Sequence, residues 1–141
     1  MSLSSVKTYA RTRMAALGYT EWTDGFNAAN IPQTLLNSRY FIELGDAGPK
    51  SVSNDNEEIT VPLTVKSFLA PTGNPKGLID TAAARVDTIV APFVKASNRV
   101  TTSGILNVTF QSSRVLPLGE SNDNGVVVEI AFNVLLLVST I

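Results

Sequence analysis

The stretch VVVEIAFNVLLLVS (126–139) most constrains the fold of this chain. Apolar residues recur there at every second position, which is the pattern of a β-strand with one buried face: Val126, Val128, Ile130, Phe132 and Val134. A strand of that length would extend about 45 Å, whereas ordinary strands have about five or six residues. We expect one end to leave the domain and pair with another chain, or the strand to bulge near Asn133.

The opposite face of this strand is mixed. It carries Glu129 and Asn133, but also Leu135 and Leu137. Apolar side chains on a face that also holds charge and amide groups indicate a surface that another protein covers. We therefore predict that Leu135 and Leu137 lie at a subunit interface.

Three earlier segments alternate in the same way. Residues 38–44 (SRYFIEL) predict a first strand, residues 59–66 a second and residues 106–111 a third. The polar residues 45–57 between the first two strands predict a hairpin with an oversized loop. Pro62 lacks an N–H for a ladder, so it predicts a sheet edge or a bulge.

Two segments have helical periodicity. Ser4 and Ser5 can cap a helix that runs to about Leu17, with one apolar face: Val6, Ala10, Met14 and Leu17. A second helix is predicted over residues 78–91, with Ile79 in its apolar stripe, Arg85 facing outward and Pro92 ending or kinking it.

These elements predict one domain over residues 1–141 of the α+β class. The expected architecture is an antiparallel four-stranded sheet with two helices on one face, in the order α-β-β-α-β-β. In the irregular connection 18–36, Trp22 and Phe26 are expected to form a satellite of the core.

Composition excludes several kinds of chemistry. The chain has no cysteine and no histidine, so disulfides, thiolate zinc sites and histidine-based catalysis are absent. The net charge of −1 gives no reason to expect a nucleic-acid binder or a membrane-surface binder. The sequence shows no secretory signal and no apolar run long enough to span a bilayer, so we expect a soluble protein made inside the cell.

The remaining candidate sites fail on spacing. The tetrapeptide SNDN occurs at 53–56 and 121–124, but neither copy continues as a calcium loop requires, and both are interpreted as turns. A catalytic pair of Glu43 with Glu57 or Glu58 lacks a pocket that would shift one pKa. The PTGNPKG segment lacks the P-loop pattern. We therefore expect no catalytic residue, no cofactor, no metal and no enzymatic activity.

The chain resembles the tail-terminator, or tail-completion, proteins of long-tailed bacteriophages. The resemblance lies in SRYFIEL (38–44), in the apolar helix LIDTAAARVDTIVAPF (78–93) and above all in VLPLGESNDNGVVVEIAFNVLL (115–136). The order of elements also agrees across nearly the whole chain. The resemblance is one of pattern, and it carries over regions rather than individual residues.

The resemblance implies a structural virion protein. Members form hexameric rings that cap the completed tail tube, stop its polymerisation and offer a surface for head–tail joining. The implied partners are other copies of the chain, the tail tube protein and a head–tail connector protein, and DNA passes through the ring without specific binding. The implied location is the head-proximal end of the tail, after assembly in the host cytoplasm.

Two charged regions fit a ring. Residues 43–58 carry five carboxylates against one lysine, a local net charge of −4, and are predicted to line the channel or meet a partner: Glu43, Asp46, Asp55, Glu57 and Glu58. The first helix carries Lys7, Arg11 and Arg13. We expect these either to form a solvated face or to contact an acidic neighbouring subunit.

Two alternatives stay open. Another neck or head–tail connector ring protein would share these features, and only its binding partner would distinguish it. A small-molecule-binding α+β domain would instead be a monomer or dimer with a ligand-dependent melting temperature.

Overall fold

The structure of the protein is a computed structural model that describes residues 3–22, 31–46, 48–52, 56–71, 75–99, 104–117 and 125–139. The helices are α1 (Leu3–Ala16), α2 (Pro75–Val94) and α3 (Ala96–Arg99), with a 3₁₀ helix at Gln33–Ser38. The strands are β1 (Thr20–Glu21), β2 (Arg39–Leu44), β3 (Gly48–Val52), β4 (Asn56–Leu69), β5 (Ile105–Pro117) and β6 (Val126–Ser139).

The six strands form one mixed sheet. Five follow the spatial order β1-β2-β4-β6-β5, and β3 pairs with β4 outside that path. The α+β class is confirmed, whereas the expected sheet of four antiparallel strands is wrong. The short β1 runs parallel to β2, with Thr20 opposite Arg39, and β3 is an additional antiparallel strand.

The predicted oversized loop at 45–57 is wrong. Gly48–Val52 pairs with the first part of β4, so that only residues 53–55 lie between the two paired segments. The segment GPKSV has no alternating pattern and contains Gly and Pro, which disfavour strands. It becomes a strand because β4 extends beyond β2 and offers unpaired backbone groups beside it.

Pro62 lies in a central strand and not at a sheet edge, but the expected irregularity occurs beside it. The interruption is in the neighbouring strands, because β2 ends opposite Leu63 and β3 begins opposite Thr60. The Gly45 N–H donates to the Pro62 carbonyl at 2.8 Å. N–H and C=O groups of one strand residue point the same way, so the missing Pro62 donor faces this interruption and breaks no ladder bond.

Strand β6 stays within the domain. It pairs with β4 along its whole length, from Val126 opposite Leu69 to Ser139 opposite Asn56, and with β5 from Val126 to Leu136. The expectation that one end of β6 leaves the domain is therefore wrong. The register shifts of this hairpin lie in β5 and not at Asn133.

Helices α1 and α2 pack on one face of the sheet, which we call the covered face, as predicted. The ring of Phe132 on β6 stacks on that of Phe93 on α2, with centroids 4.7 Å apart. Tyr9 of α1 meets Phe93 edge-on and donates its hydroxyl to the Phe93 carbonyl at 2.6 Å. The predicted buried faces of α1 and β6 are confirmed: Val6, Ala10, Met14, Val126, Val128, Ile130, Phe132 and Val134.

Helix α2 departs from its prediction at three residues. It continues past Pro92 to Val94, because a proline in the last turn removes few intrahelical bonds. Ile79 is 66% exposed rather than part of the apolar stripe. Arg85 does not face outward: it donates to Ser67 Oγ at 2.5 Å, to the Phe68 carbonyl at 3.2 Å and to the Asn37 carbonyl at 3.1 Å.

A second cluster lies on the opposite face of the sheet, at one end. Ile31, Leu36 and Phe68 are buried there, and Trp22 packs against them, which confirms its satellite role. Phe26 lies outside the described residues, as do both SNDN turns except Asn56, which begins β4. Gly125 opens β6 with φ +102°, and an added Cβ would lie 2.5 Å from the Leu69 carbonyl oxygen.

Candidate functional site

The acidic residues predicted to form one loop are distributed over three places. Glu43 lies on β2, and Asp46 is exposed in the connection between β2 and β3. Glu57 and Glu58 belong to β4, opposite Val52 and Ser51, while Asp55 lies outside the described residues. The single acidic loop is therefore wrong.

Glu43 and Glu58 do not meet. Glu43 is opposite Thr64, which is six positions along β4 from Glu58 and hence about 20 Å away along the strand. The possible carboxylate pair is thereby excluded for these two residues. Instead, Glu43 Oε1 accepts a hydrogen bond from Lys66 Nζ at 2.8 Å.

That bond is one step in a row of charges across four adjacent strands. Lys66 Nζ on β4 lies 3.6 Å from Glu129 Oε2 on β6. Arg114 Nε on β5 lies 2.5 Å from Glu129 Oε1. We call these four residues the charge ladder: Glu43, Lys66, Glu129 and Arg114. Two carboxylates balance two cations, so the acidic charge at Glu43 is neutralised.

The charge ladder crosses the open face, defined here by Thr60, Thr64, Lys66, Glu129, Ala131 and Asn133. Of the described residues, only the cluster around Phe68 covers this face, at one end. Leu135 is half-buried in a shallow depression of about 170 Å³, with Thr60, Asn107, Thr109 and Asn133. Leu137 is also half-buried, so the two predicted interface leucines offer little apolar surface.

The three basic residues of α1 have different surroundings. Arg11 pairs with Glu21 on β1 at 2.9 Å, so its acidic neighbour belongs to its own chain. Arg13 is only 9% exposed and lies 5.3 Å from the Tyr9 ring centroid, because the buried stripe of α1 is wide enough to include it. A common solvated face is therefore wrong for Arg13, whereas Lys7 and Arg11 are exposed as expected.

Lys7 lines a groove between the start of α1 and β2. The groove has a volume of about 520 Å³ and is lined by Leu3, Ser4, Lys7, Phe41, Ile42, Glu43 and Leu44. It exists because β1 pairs with β2 only at Arg39 and Tyr40. Beyond that point no described strand pairs with the outer side of Ile42–Leu44. A strand edge and a helix thus flank an apolar groove.

Tyr40 lies where β1 ends. Its ring is buried, and burial together with the nearby Glu21 carboxylate raises the pKa of its hydroxyl to about 12. The pKa of the Arg85 guanidinium is lowered by burial. Arg85 donates to three acceptors within the fold, and Tyr40 belongs to the buried core, so the geometry indicates structural roles for both.

The sequence predicted a strand at residues 106–111, within β5, but not that this strand ends the sheet. Strand β5 is the terminal strand of the sheet, and its residues from Thr109 to Val115 are all exposed. Its thirteen residues ILNVTFQSSRVLP include one charged side chain, Arg114, which the charge ladder holds. The low charge of this alternating segment could have indicated a surface that another chain covers. The sequence does not show, however, which strand lies at the end of the sheet.

The described residues contain no group of three His, Cys, Asp or Glu side chains that could hold a metal ion. Among the same residues, no helix has the length and apolar character needed to cross a membrane. No protein-family model matches the chain, and no curated protein matches it either.

Proposed function

We propose that the chain is a structural virion protein similar to the tail terminators of long-tailed bacteriophages. It forms a ring, expected to be hexameric, that caps the tail tube, stops tube polymerisation and offers a surface for head–tail joining. It has no catalytic activity in this proposal. The proposal extends the resemblance of residues 38–44, 78–93 and 115–136 to this chain.

The observation that carries the proposal is the exposed, nearly uncharged edge strand β5. Leu106 and Phe110 are each 42% exposed and Val115 is 46% exposed along it. A long apolar sheet edge favours pairing with another chain, and soluble monomers usually protect such edges with charge or cover. Together with an overall charged fraction of only 16%, it supports an assembly subunit.

The channel wall is expected to carry fewer free carboxylates than one acidic loop would supply. Asp46 is exposed beside the interruption between β2 and β3, and it remains a candidate for the channel or for a partner contact. Glu43 contributes a neutralised pair with Lys66. A channel wall with balanced or negative charge does not hold the phosphate backbone, so DNA can pass.

Light scattering after size-exclusion chromatography, followed by negative-stain imaging, tests the ring. We expect a closed ring of six copies with an open centre. Incubation with tail tubes of the same virus should place these rings at tube ends, and tube protein assembled in their presence should give shorter tubes. Rings that bind a portal or adaptor protein instead of tubes would favour the neck or head–tail connector alternative.

The groove between α1 and β2 supports a second candidate, a small-molecule-binding domain. Its volume of about 520 Å³ and its mostly apolar lining fall in the range of ligand pockets. This candidate predicts a monomer or dimer whose melting temperature rises with an apolar ligand. A ring whose melting temperature no member of an apolar ligand set changes would count against it.

A further inference from the structure

We propose that the ring is built by strand pairing between copies: the outer edge of β5 in one copy pairs with the β2–β3 edge of the next copy. This inference rests on the proposed function, because it names the contact that would close the ring. The occupant of the groove beside β2 is then strand β5 of a second copy of this chain.

Exposed apolar side chains occur at both ends of the sheet. Five large hydrophobic residues of the described chain are exposed, and three of them lie on β5: Leu106, Phe110 and Val115. A fourth, Leu3, is 44% exposed and lines the groove beside β2. One end presents the terminal strand β5 with exposed apolar side chains, and the other presents a mostly apolar groove that could receive them.

Strand direction also fits this contact. Each of the pairs β2–β4, β4–β6 and β6–β5 is antiparallel, so β5 runs opposite to β2. A rotation about an axis roughly parallel to the strands preserves these directions. It therefore brings β5 of one copy antiparallel to β2 of the next, and the same ladder pattern continues through the assembly.

Strand β5 is long enough to cover the β2–β3 edge. It has thirteen residues, or about 43 Å at the usual rise. On the other side, Ile42–Leu44 and Gly48–Val52 lie opposite residues 57–65 of β4, an edge of about 30 Å. In the regular part of β5, Ser112 and Ser113 lie level with Glu43 and Ile42, where β2 has no described neighbour on its outer side.

A two-fold pairing of β5 with β5 is the competing arrangement. It would also be antiparallel, but it would leave the groove beside β2 and its apolar lining uncovered. Head-to-tail pairing uses both surfaces, and its repetition can close into a ring. The structure therefore favours the head-to-tail contact.

The first test places a charge on the edge. Ser113→Lys introduces a cation on the exposed, regular part of β5 that lies level with Ile42, and Ile79→Lys, on the exposed surface of α2, is the matched control. We expect Ser113→Lys to raise the protein concentration needed for assembly at least about tenfold, because an unpaired charge opposes strand addition. Ile79→Lys should leave assembly unchanged. Circular dichroism and the melting temperature confirm that both variants fold.

The second test uses the absence of cysteine from the chain. Ser112 lies level with Glu43 across the sheet, through Ala131 and Thr64. The double variant Ser112→Cys/Glu43→Cys, treated with a flexible bismaleimide, should give a ladder of covalent oligomers up to the ring size. Either single variant should stay uncoupled, whereas two-fold β5 pairing would give covalent dimers from Ser112→Cys alone.

The outcomes separate this inference from the proposed function. Rings that persist in Ser113→Lys and give no covalent ladder in the double variant would overturn the contact and leave the terminator role standing. Rings that Ser113→Lys disrupts and that give the ladder, but never bind tube ends, would support the contact and overturn the terminator role. A chain that stays monomeric at every concentration would overturn the contact.

Discussion

On the covered face of the sheet, Phe132 packs between Phe93 and Phe110, while on the open face its near neighbour in β6, Glu129, joins Lys66 and Arg114. One strand thus contributes to two kinds of contact. Burial on the covered face removes apolar area from water, whereas the ion pairs of the open face stay close to solvent and contribute little. Stability should therefore depend on the covered face, and the open face is free to determine surface chemistry.

The largest effect is expected in the covered core. Phe132→Ala should lower the free energy of unfolding by about 3–5 kcal/mol, because it removes a fully buried ring and leaves a cavity. Urea unfolding followed by circular dichroism measures this. Phe110→Ala is the control, since its ring is 42% exposed and should cost clearly less. Equal losses in the two variants would contradict the assignment of stability to the covered face.

Arg85 links α2, on the covered face, to Ser67 and Phe68 near the end of β4 and to Asn37 in the 3₁₀ helix. Arg85→Met should cost about 2 kcal/mol, because it leaves Ser67 Oγ and the carbonyls of Asn37 and Phe68 without their donor. The same unfolding measurement applies. Arg114→Met, whose side chain is 69% exposed, should change stability by less than about 0.5 kcal/mol. An Arg85→Met variant with an unchanged free energy of unfolding would mean that water satisfies the three acceptors as well as the guanidinium does.

The charge ladder should contribute less to the free energy of unfolding than Phe132 or Arg85 does. Glu129→Gln should cost about 1 kcal/mol or less at low salt, and the difference from the original chain should shrink in high salt, since the ion pairs are partly solvated. Asp80→Asn, at an exposed position of α2, controls for the general effect of removing one negative charge. A large loss that does not depend on salt would make the open face a second source of stability.

Tyr40 should affect only the alkaline limb of stability. Its pKa is near 10 in the unfolded chain and about 12 when folded, so the unfolded state releases the proton first. Stability should fall as the pH rises from about 10 to about 12, and Tyr40→Phe should show a shallower fall in that window. Thermal melts at several pH values measure the two slopes. Parallel slopes would contradict the burial of this hydroxyl in the folded state.

Period-two alternation was sufficient to predict which face of β6 is buried, because every second residue from Val126 to Val134 is apolar. The same pattern missed β3, because apolar and polar residues do not alternate in its sequence GPKSV. Its pairing depends instead on the part of β4 that extends beyond β2. Helical periodicity, in turn, wrongly placed Arg85 on the solvent side of α2. The acceptors of that guanidinium come from Asn37, Ser67 and Phe68, whose position beside α2 depends on the tertiary fold.

The candidate surfaces were only partly predictable for the same reason. The low charge of the chain indicated a protein–protein interface, and Lys7 was correctly expected to be exposed. That Leu135 and Leu137 lie at a subunit interface stays a prediction, and the structure places both on the interior strand β6, half-buried. Alternation identifies strands one at a time, while the order β1-β2-β4-β6-β5, which makes β5 terminal, depends on pairing between distant segments.

The interruption opposite Pro62 divides one hairpin into two hydrogen-bonded blocks. The block of β2 with Leu63–Ser67 lies over the helices and shares the covered core, whereas the block of β3 with Glu57–Thr60 is supported on its other side by the far end of β6. Between the two blocks, the Gly45 N–H donates to the Pro62 carbonyl. The block of β3 can therefore open locally while the block of β2 stays closed, so that β3 can adapt to a partner without unfolding of the domain.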